Sequence, residues 1–190
     1  METDGNGTAK WIEAGLMELA EGGIDRVRVE VVAERLGVTK GGFYRRFKDR
    51  RALLDAILDR WSRGRIDAIT KQMALGTATP AERLKSVVKL YSERVSAQGM
   101  AIELAIRQWA RSDGPAAAAA ARVDAARLTS VEDLFRRMGL TEEDAKARSI
   151  LFYAFIFGQS LLFLEHEPHK RANLIAACAD VLTDMKAGRS

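Results

Sequence analysis

Residues 29–51 read VEVVAERLGVTKGGFYRRFKDRR, and few folds accommodate that order of side chains. Val29, Val32, Ala33 and Leu36 recur at the spacing that lines one face of a helix. Gly37 follows, and glycine tolerates the left-handed backbone that ends helices. Thr39 then stands where a hydroxyl can serve the free amides of a new first turn. On the helix it opens, Phe43 and Phe47 lie four apart and face inward, leaving Lys40, Gly41, Gly42, Tyr44, Arg45 and Arg46 facing out. Small residues at the start of such a helix let its backbone come close to a flat partner. This is the layout of a helix-turn-helix, whose second helix, here Thr39–Phe47, enters the major groove of DNA.

Charge agrees with that layout. From Arg35 to Arg51 there are seven basic residues, Lys48 and Arg50 among them, and one acid, Asp49, a net of +6. The whole chain is only +4, so the rest of it carries about −2. A surplus confined to one segment is an electrostatic footprint rather than a general bias. The competing reading is a solvated charged helix face, which most charge runs are.

With 47% hydrophobic residues the 190-residue chain can bury a core, and its three prolines and lack of alternating patterns point to an all-α protein. One cysteine, Cys178, excludes an internal disulfide and suits a reducing compartment; on an apolar helix face it reads as a buried, inert thiol. The acidic, glycine-rich start METDGNGT lacks a signal-peptide pattern, and the run 149–164 is too short to span a bilayer comfortably. The expectation is a soluble, cytoplasmic protein with no membrane partner.

About nine helices are expected, in a three-helix head over residues 1–50 and a larger helical bundle over 51–190. The first helix is predicted over 8–21, ended by Gly22-Gly23, with Ile24 tucked into the core. Asp49 caps a long fourth helix with an apolar stripe from Leu53 to Ile69. Thr79 and Pro80 open a helix that runs to about 97, since proline is welcome at a first helical position. Gln98-Gly99 is read as an interruption before a helix over 100–111, and 112–115 as a turn. The alanine run from Ala116 is strongly helix-forming and continues to Met138, where Gly139 ends it. Thr141 opens a helix to about 165, 166–169 form a turn, and a last helix reaches about 186.

Between Ile150 and Leu164 apolar residues occur nearly all the way round the predicted helix, so it must be buried on every side. Either it is a central core helix, or one side faces the core and the other a second subunit. The second reading is preferred, because readers of this kind commonly bind two half-sites about 34–36 Å apart. The expected dimer interface comprises Phe155 and Leu162 with Leu174, Cys178, Val181 and Met185 of the last helix.

The head resembles the tetracycline-repressor-like (TetR) bacterial transcription regulators. Ala33, Gly37-Val38-Thr39-Lys40-Gly41, Phe43-Tyr44, Phe47 and the trailing Arg51-Ala52-Leu53-Leu54 carry the likeness over about 45 residues. Looser similarity to bodies of one subgroup lies in Ile106–Ala110 through Asp113, Val123-Asp124, Arg127, Leu134-Phe135 and Gly139-Leu140. The resemblance implies a DNA-binding head and a variable body for ligand binding and dimerisation. It implies that Thr39, Lys40, Gly41, Tyr44 and Arg45 face the groove or its phosphates, and that Arg50 holds a phosphate. Two departures stand out. Arg28 replaces the usual Ser or Thr before the first motif helix, so it can reach a phosphate but not cap. Arg45-Arg46 stand where an aromatic or histidine often follows the tyrosine, and an arginine there reads guanine or holds phosphate.

Enzyme signatures are missing: there is no G-x-S-x-G, no phosphate-cradling glycine loop and no H-E-x-x-H. His166 and His169 flank a proline and, even with Glu165 and Glu167, make only a partial ligand set, so neither a metal nor a cofactor is expected. Glu103 and Arg107, four apart, read as an ordinary helical ion pair. If Trp109 and Tyr91 line a cavity beside them, the same pair anchors a small ligand in an apolar pocket, with Trp61 and Phe152 nearby. The expected function is a ligand-responsive, sequence-specific regulator, a repressor released from a pseudo-palindromic operator by a small-molecule effector. The alternatives are a nonspecific architectural DNA binder and, from another class, a helical small-molecule-binding protein or enzyme.

Overall fold

A computed structural model describes residues 4–74, 79–93, 97–162 and 168–184. They form nine α-helices and no strand: α1 (Asp4–Gly22), α2 (Val29–Arg35), α3 (Lys40–Tyr44), α4 (Arg50–Ala74), α5 (Pro80–Glu93), α6 (Ala97–Trp109), α7 (Gly114–Arg137), α8 (Glu142–Leu161) and α9 (Pro168–Thr183). A 3-10 turn, Ile24–Arg26, separates α1 from α2. The chain groups into two compact units, Met1–Arg65 with Ser96–Val123, and Ile66–Val95 with Asp124–Ser190. No helix among the described residues is long and apolar enough to cross a membrane.

Most helix ends lie where local chemistry puts them. Gly23, Gly37 and Gly139 all have positive φ, the conformation that lets a helix stop. Asp49 accepts from the Ala52 amide at 2.9 Å and so caps α4. Thr79 and Glu82 cap each other reciprocally, and Thr141 accepts from the Asp144 amide.

Other boundaries differ from expectation. Helix α1 begins at Asp4, a turn before Thr8. Helix α3 ends at Tyr44 rather than Phe47, and Thr39 makes no side-chain capping bond, its backbone alone taking the extended cap conformation. Gln98 and Gly99 lie inside α6, so the interruption expected at them is absent there. Gly114 and Pro115 belong to α7 because the Asp113 carboxylate caps it at the Ala116 amide (2.9 Å), leaving proline in the first turn where its missing N–H costs nothing. Ile24 is only half-buried, and Val27 is the fully buried residue there. Cys178 is likewise half-buried, not a core thiol. His166 and Met185 lie outside the described residues, as does the side chain of His169.

In the first unit α1 packs on α6, α2 and the 3-10 turn, and α2 packs on α3. A Cβ on Gly15 of α1 would come within 2.6 Å of Ile57 Cδ1, so the two helices touch where α1 has no side chain. In the second unit α5 packs on α9, and Leu84, Val88, Val131, Phe135, Phe152, Ile156 and Ile175 form the core. Phe135 and Phe152 meet edge to face at 6.4 Å.

Candidate nucleic-acid interface

Five residues are too few for a helix to hold itself together in water, so α3 depends on what lies beneath it. Phe43 is fully buried, its ring 5.3 Å from Trp11 of α1 and 5.3 Å from Phe47, which stacks on it. Burying a phenylalanine contributes about 1.5–3 kcal/mol relative to leaving it exposed. Arg46 turns back to donate to the Gly42 carbonyl at 2.9 Å, bracing the end of α3. Arg50 donates from Nε to the Val27 carbonyl at 2.6 Å and from Nη2 to the Ile24 carbonyl at 2.7 Å. Its guanidinium therefore pins the 3-10 turn to the start of α4.

A buried carboxylate locks the scaffold behind α3. Glu18 of α1 is 2% exposed and accepts from Arg26 at 2.5 Å and Arg35 at 2.5 Å, while Glu21 also meets Arg35. One side chain thus ties α1 to the 3-10 turn and to the end of α2. Burial pushes the Glu18 carboxyl up, but the hydrogen bonds and charges of Arg35 and Arg26 outweigh it and hold the group below the ordinary carboxylate range. Sequence reading did not single out this network. Its signal was there, because Glu18 continues the Trp11, Ala14, Gly15 stripe, and a carboxylate on a buried stripe needs a cation.

The face above this scaffold is open. Arg28, Thr39, Lys40, Gly41, Tyr44, Arg45, Lys48 and Arg50 are exposed, whereas Gly42 and Arg46 are half-buried. Lys40 pairs with Glu30 at 2.7 Å, and that hydrogen bond draws the Glu30 carboxyl below its usual range. Among the described residues neither Arg45 nor Lys48 forms an ion pair. The arrangement offers a short, braced helix with Gly41 and Gly42 in its first turn and exposed cations beside them.

The expected body residues fall in separate places. In the first unit Glu103 is buried between Arg107 (3.0 Å) and Arg65 (3.6 Å), so the predicted ion pair has a third member. Trp61 is buried, and its indole nitrogen has no hydrogen-bond partner among the described residues. Trp109 lies under the Arg51 guanidinium, 6.0 Å from ring centre to charge. Arg51 in turn meets Asp113 at 2.5 Å and Asp55 at 2.7 Å. In the second unit Phe152 is a fully buried core residue, and Tyr91 is half-buried with its ring 6.4 Å from Phe157.

Of the expected dimer residues, Leu162, Leu174 and Val181 are 61%, 44% and 71% exposed, and Phe155 is half-buried against the core. Ile150, Leu151 and Leu161 are equally exposed on α8, though sequence reading had not separated them from core positions. The stripe Ala145, Ser149, Phe152, Ile156, Gln159 faces inward instead, giving the helix two apolar faces.

Residues 12–57 match the model for bacterial regulatory proteins of the tetR family. The chain is 34% identical over 106 residues to the HTH-type transcriptional repressor KstR of Mycolicibacterium smegmatis, covering 56% of this chain and 52% of that one. The KstR repressor of Mycobacterium tuberculosis is 30% identical over 113 residues, covering 60% and 51%. The chain thus spans about half the length of the curated relatives it matches. A Rhodococcus sp. protein described as a TetR-family transcriptional regulator shares the fold, with a TM-score of 0.74 at 22% identity over 94% of this chain and all of that one. Residues 12–57 are thus similar to the tetR family of bacterial regulatory proteins, and the all-helical fold is similar to that of the Rhodococcus sp. protein.

Proposed function

We propose that this chain is a homodimeric, ligand-responsive repressor that binds a pseudo-palindromic operator through α3. The observation that carries the reading is the braced recognition helix, whose outer face leaves Thr39, Gly41, Tyr44, Arg45 and Lys48 exposed. In this reading α3 enters the major groove, Arg45 meets a base edge or phosphate, and Arg28, Lys40 and Lys48 hold the backbone. Arg50 and Arg46 act mainly by positioning, because their guanidinium groups already serve backbone carbonyls of the head.

A second copy of the chain covers the outer faces of α8 and α9. From Ser149 to Leu162 there is no charged residue, yet Ile150, Leu151, Leu161 and Leu162 stand in water. An exposed apolar surface of that kind marks an interaction site.

The effector binds in the body. Trp61, whose buried indole N–H has no partner among the described residues, and the Glu103 and Arg107 pair are polar candidates to orient it in the first unit. Tyr91 and Phe152 are its aromatic candidates in the second unit. Helix α4 contributes residues to both units and is the element an effector would act through. A coupling of about 1–3 kcal/mol changes operator affinity roughly 5–150-fold, provided the effector binds the low-affinity state better.

The test is selection of bound fragments from random double-stranded DNA, with winners measured against scrambled competitors at physiological salt. A two-fold-symmetric motif preferred at least about a thousand-fold is expected. Equal affinity for every sequence, falling steeply with salt, would replace this reading with an architectural one.

A further inference from the structure

We propose that Val38 is a specificity residue that reads a thymine C5-methyl group in each half-site. This rests on the reading of the head as a major-groove binder. In residues 4–57 the large apolar side chains left in water are Val38, 48% exposed, and Tyr44, 63% exposed. They flank α3 at its two ends.

Val38 has a specific reason to be elsewhere. The Gly37 amide donates to the Glu34 carbonyl and the Val38 amide to the Ala33 carbonyl, both at 3.0 Å, with Gly37 at φ 64°. This is the hydrogen-bond pattern of a Schellman ending, in which the residue at the Val38 position usually packs back on the helix it terminates. Here it does so only in part, and half of its surface points out beside the recognition helix. Tyr44 is likewise fixed rather than loose, because its ring meets Phe43 edge to face at 5.1 Å. Gly41 and Gly42 follow Val38 in the chain, on α3, where a Cβ would meet nothing closer than 3.7 Å and 3.9 Å. Gly41 and Gly42 thus present uncharged backbone on this face, and the exposed cations Arg28, Lys40, Arg45 and Lys48 belong to the same segment.

Hydrogen-bonding base edges give a valine nothing. Each base pair displays donors and acceptors in the major groove, and the thymine methyl is the apolar group displayed there. A half-exposed valine at the groove-facing start of α3 matches that group in chemistry and size. The phosphates are left to the cations.

The test replaces thymidine by deoxyuridine, one position at a time, in the selected duplex. This deletes the methyl and leaves every hydrogen-bonding edge unchanged. One thymine per half-site should lose about fourfold in affinity when stripped of its methyl, the factor for burying one methylene-sized group, and about sixteenfold when both half-sites are altered. Val38→Ala, checked for unchanged helicity by circular dichroism, should bind the thymidine duplex with the same loss and be indifferent to deoxyuridine at that position. A specific motif whose affinity never responds to deoxyuridine would overturn thymine reading while leaving operator recognition standing. Sensitivity that persists in Val38→Ala would move the contact to another side chain. A protein with no preferred motif would remove both this assignment and the reading beneath it.

Discussion

On the head, Val38 and Tyr44 are single exposed apolar groups in a segment that also exposes Arg28, Lys40, Arg45 and Lys48. On α8, Ile150, Leu151, Leu161 and Leu162 lie along one charge-free side of a helix, with Leu174 and Val181 exposed on α9. Both surfaces leave carbon in water, yet they suit different partners. A polyanion with scattered methyl groups rewards isolated apolar contacts among cations. A continuous apolar stripe is rewarded only by another apolar surface, for which a second copy of the same helix is the simplest source.

The comparison breaks most visibly at α8. Leu151→Glu with Leu162→Glu places carboxylates in the stripe without touching the buried residues Phe152, Tyr153 and Ile156. Loss of two interface anchors costs at least about 2 kcal/mol each, so self-association should fall by a thousand-fold or more and operator affinity should fall with it. Sedimentation velocity gives the answer directly. A variant of unchanged mass and unchanged helicity would show that the stripe is not the place where copies meet.

The head should fail differently, through its scaffold. Glu18→Ala leaves Arg26 and Arg35 aimed at an empty buried site, and losing hydrogen bonds to a charged group should cost about 2–3 kcal/mol of stability, seen as a lower midpoint in thermal unfolding. The wild type should show the same dependence in pH. Because Glu18 is held below its ordinary range when folded, its contribution is complete above the unfolded value of 4.5 and fades as pH falls through the folded value. In unfolding curves recorded from pH 6 to pH 3, the stability gap between wild type and variant should therefore be constant above pH 4.5 and narrow as pH falls below it. A gap that stays constant below that pH would mean that Glu18 does not titrate as described.

These regions also differ in how far the sequence disclosed them. The head was legible because its signals are local. Gly37, the Phe43 and Phe47 pair and the Asp49 cap each act within a few residues of where they stand, and the structure shows the first with positive φ, the pair stacked and the cap bonded. The lower limit of that locality was Thr39, where the residue type suited a capping hydroxyl but the short α3 is secured by packing instead. The cation roles were only partly readable, since Arg45, Arg46 and Arg50 look alike in sequence. Their difference lies in carbonyls of Val27, Ile24 and Gly42 that the fold brings within reach. The interruption expected at Gln98-Gly99 is absent because tertiary contact with α1 overrides the turn chemistry of that pair. On α8 the composition showed two apolar faces but not which residue belonged to which, because a helix apolar all round has no periodicity to read.

At Arg45 the comparison sharpens to one side chain. Arg45 is exposed and forms no ion pair among the described residues. Arg45→Ala should cost about 1–3 kcal/mol on the preferred duplex alone if it reads a base. Equal weakening on scrambled DNA, with a shallower salt slope, would make it a phosphate contact and leave sequence reading to other residues of the face.

The smallest effect is expected at Asp113, a point where the head's fourth helix meets the turn before α7. Asp113 accepts from Arg51, from the Ala116 amide and from the Trp109 indole. The Arg51 hydrogen bond, opposed by burial, holds its carboxyl below the ordinary range, and the same contact raises Arg51 further above its own. Asp113→Asn keeps the cap's size and removes the charge. Arg51 is 40% exposed, so the ion pair contributes modestly, about 0.5–1 kcal/mol. That loss should be complete above the ordinary aspartate value of 3.8 and should shrink as pH falls below it through the lower folded value. If this pair also couples the body to the head, Asp113→Asn will change operator affinity by more than its small stability cost would, at a temperature where both proteins are fully folded. Equal operator affinity in the two proteins would confine the pair to a structural role.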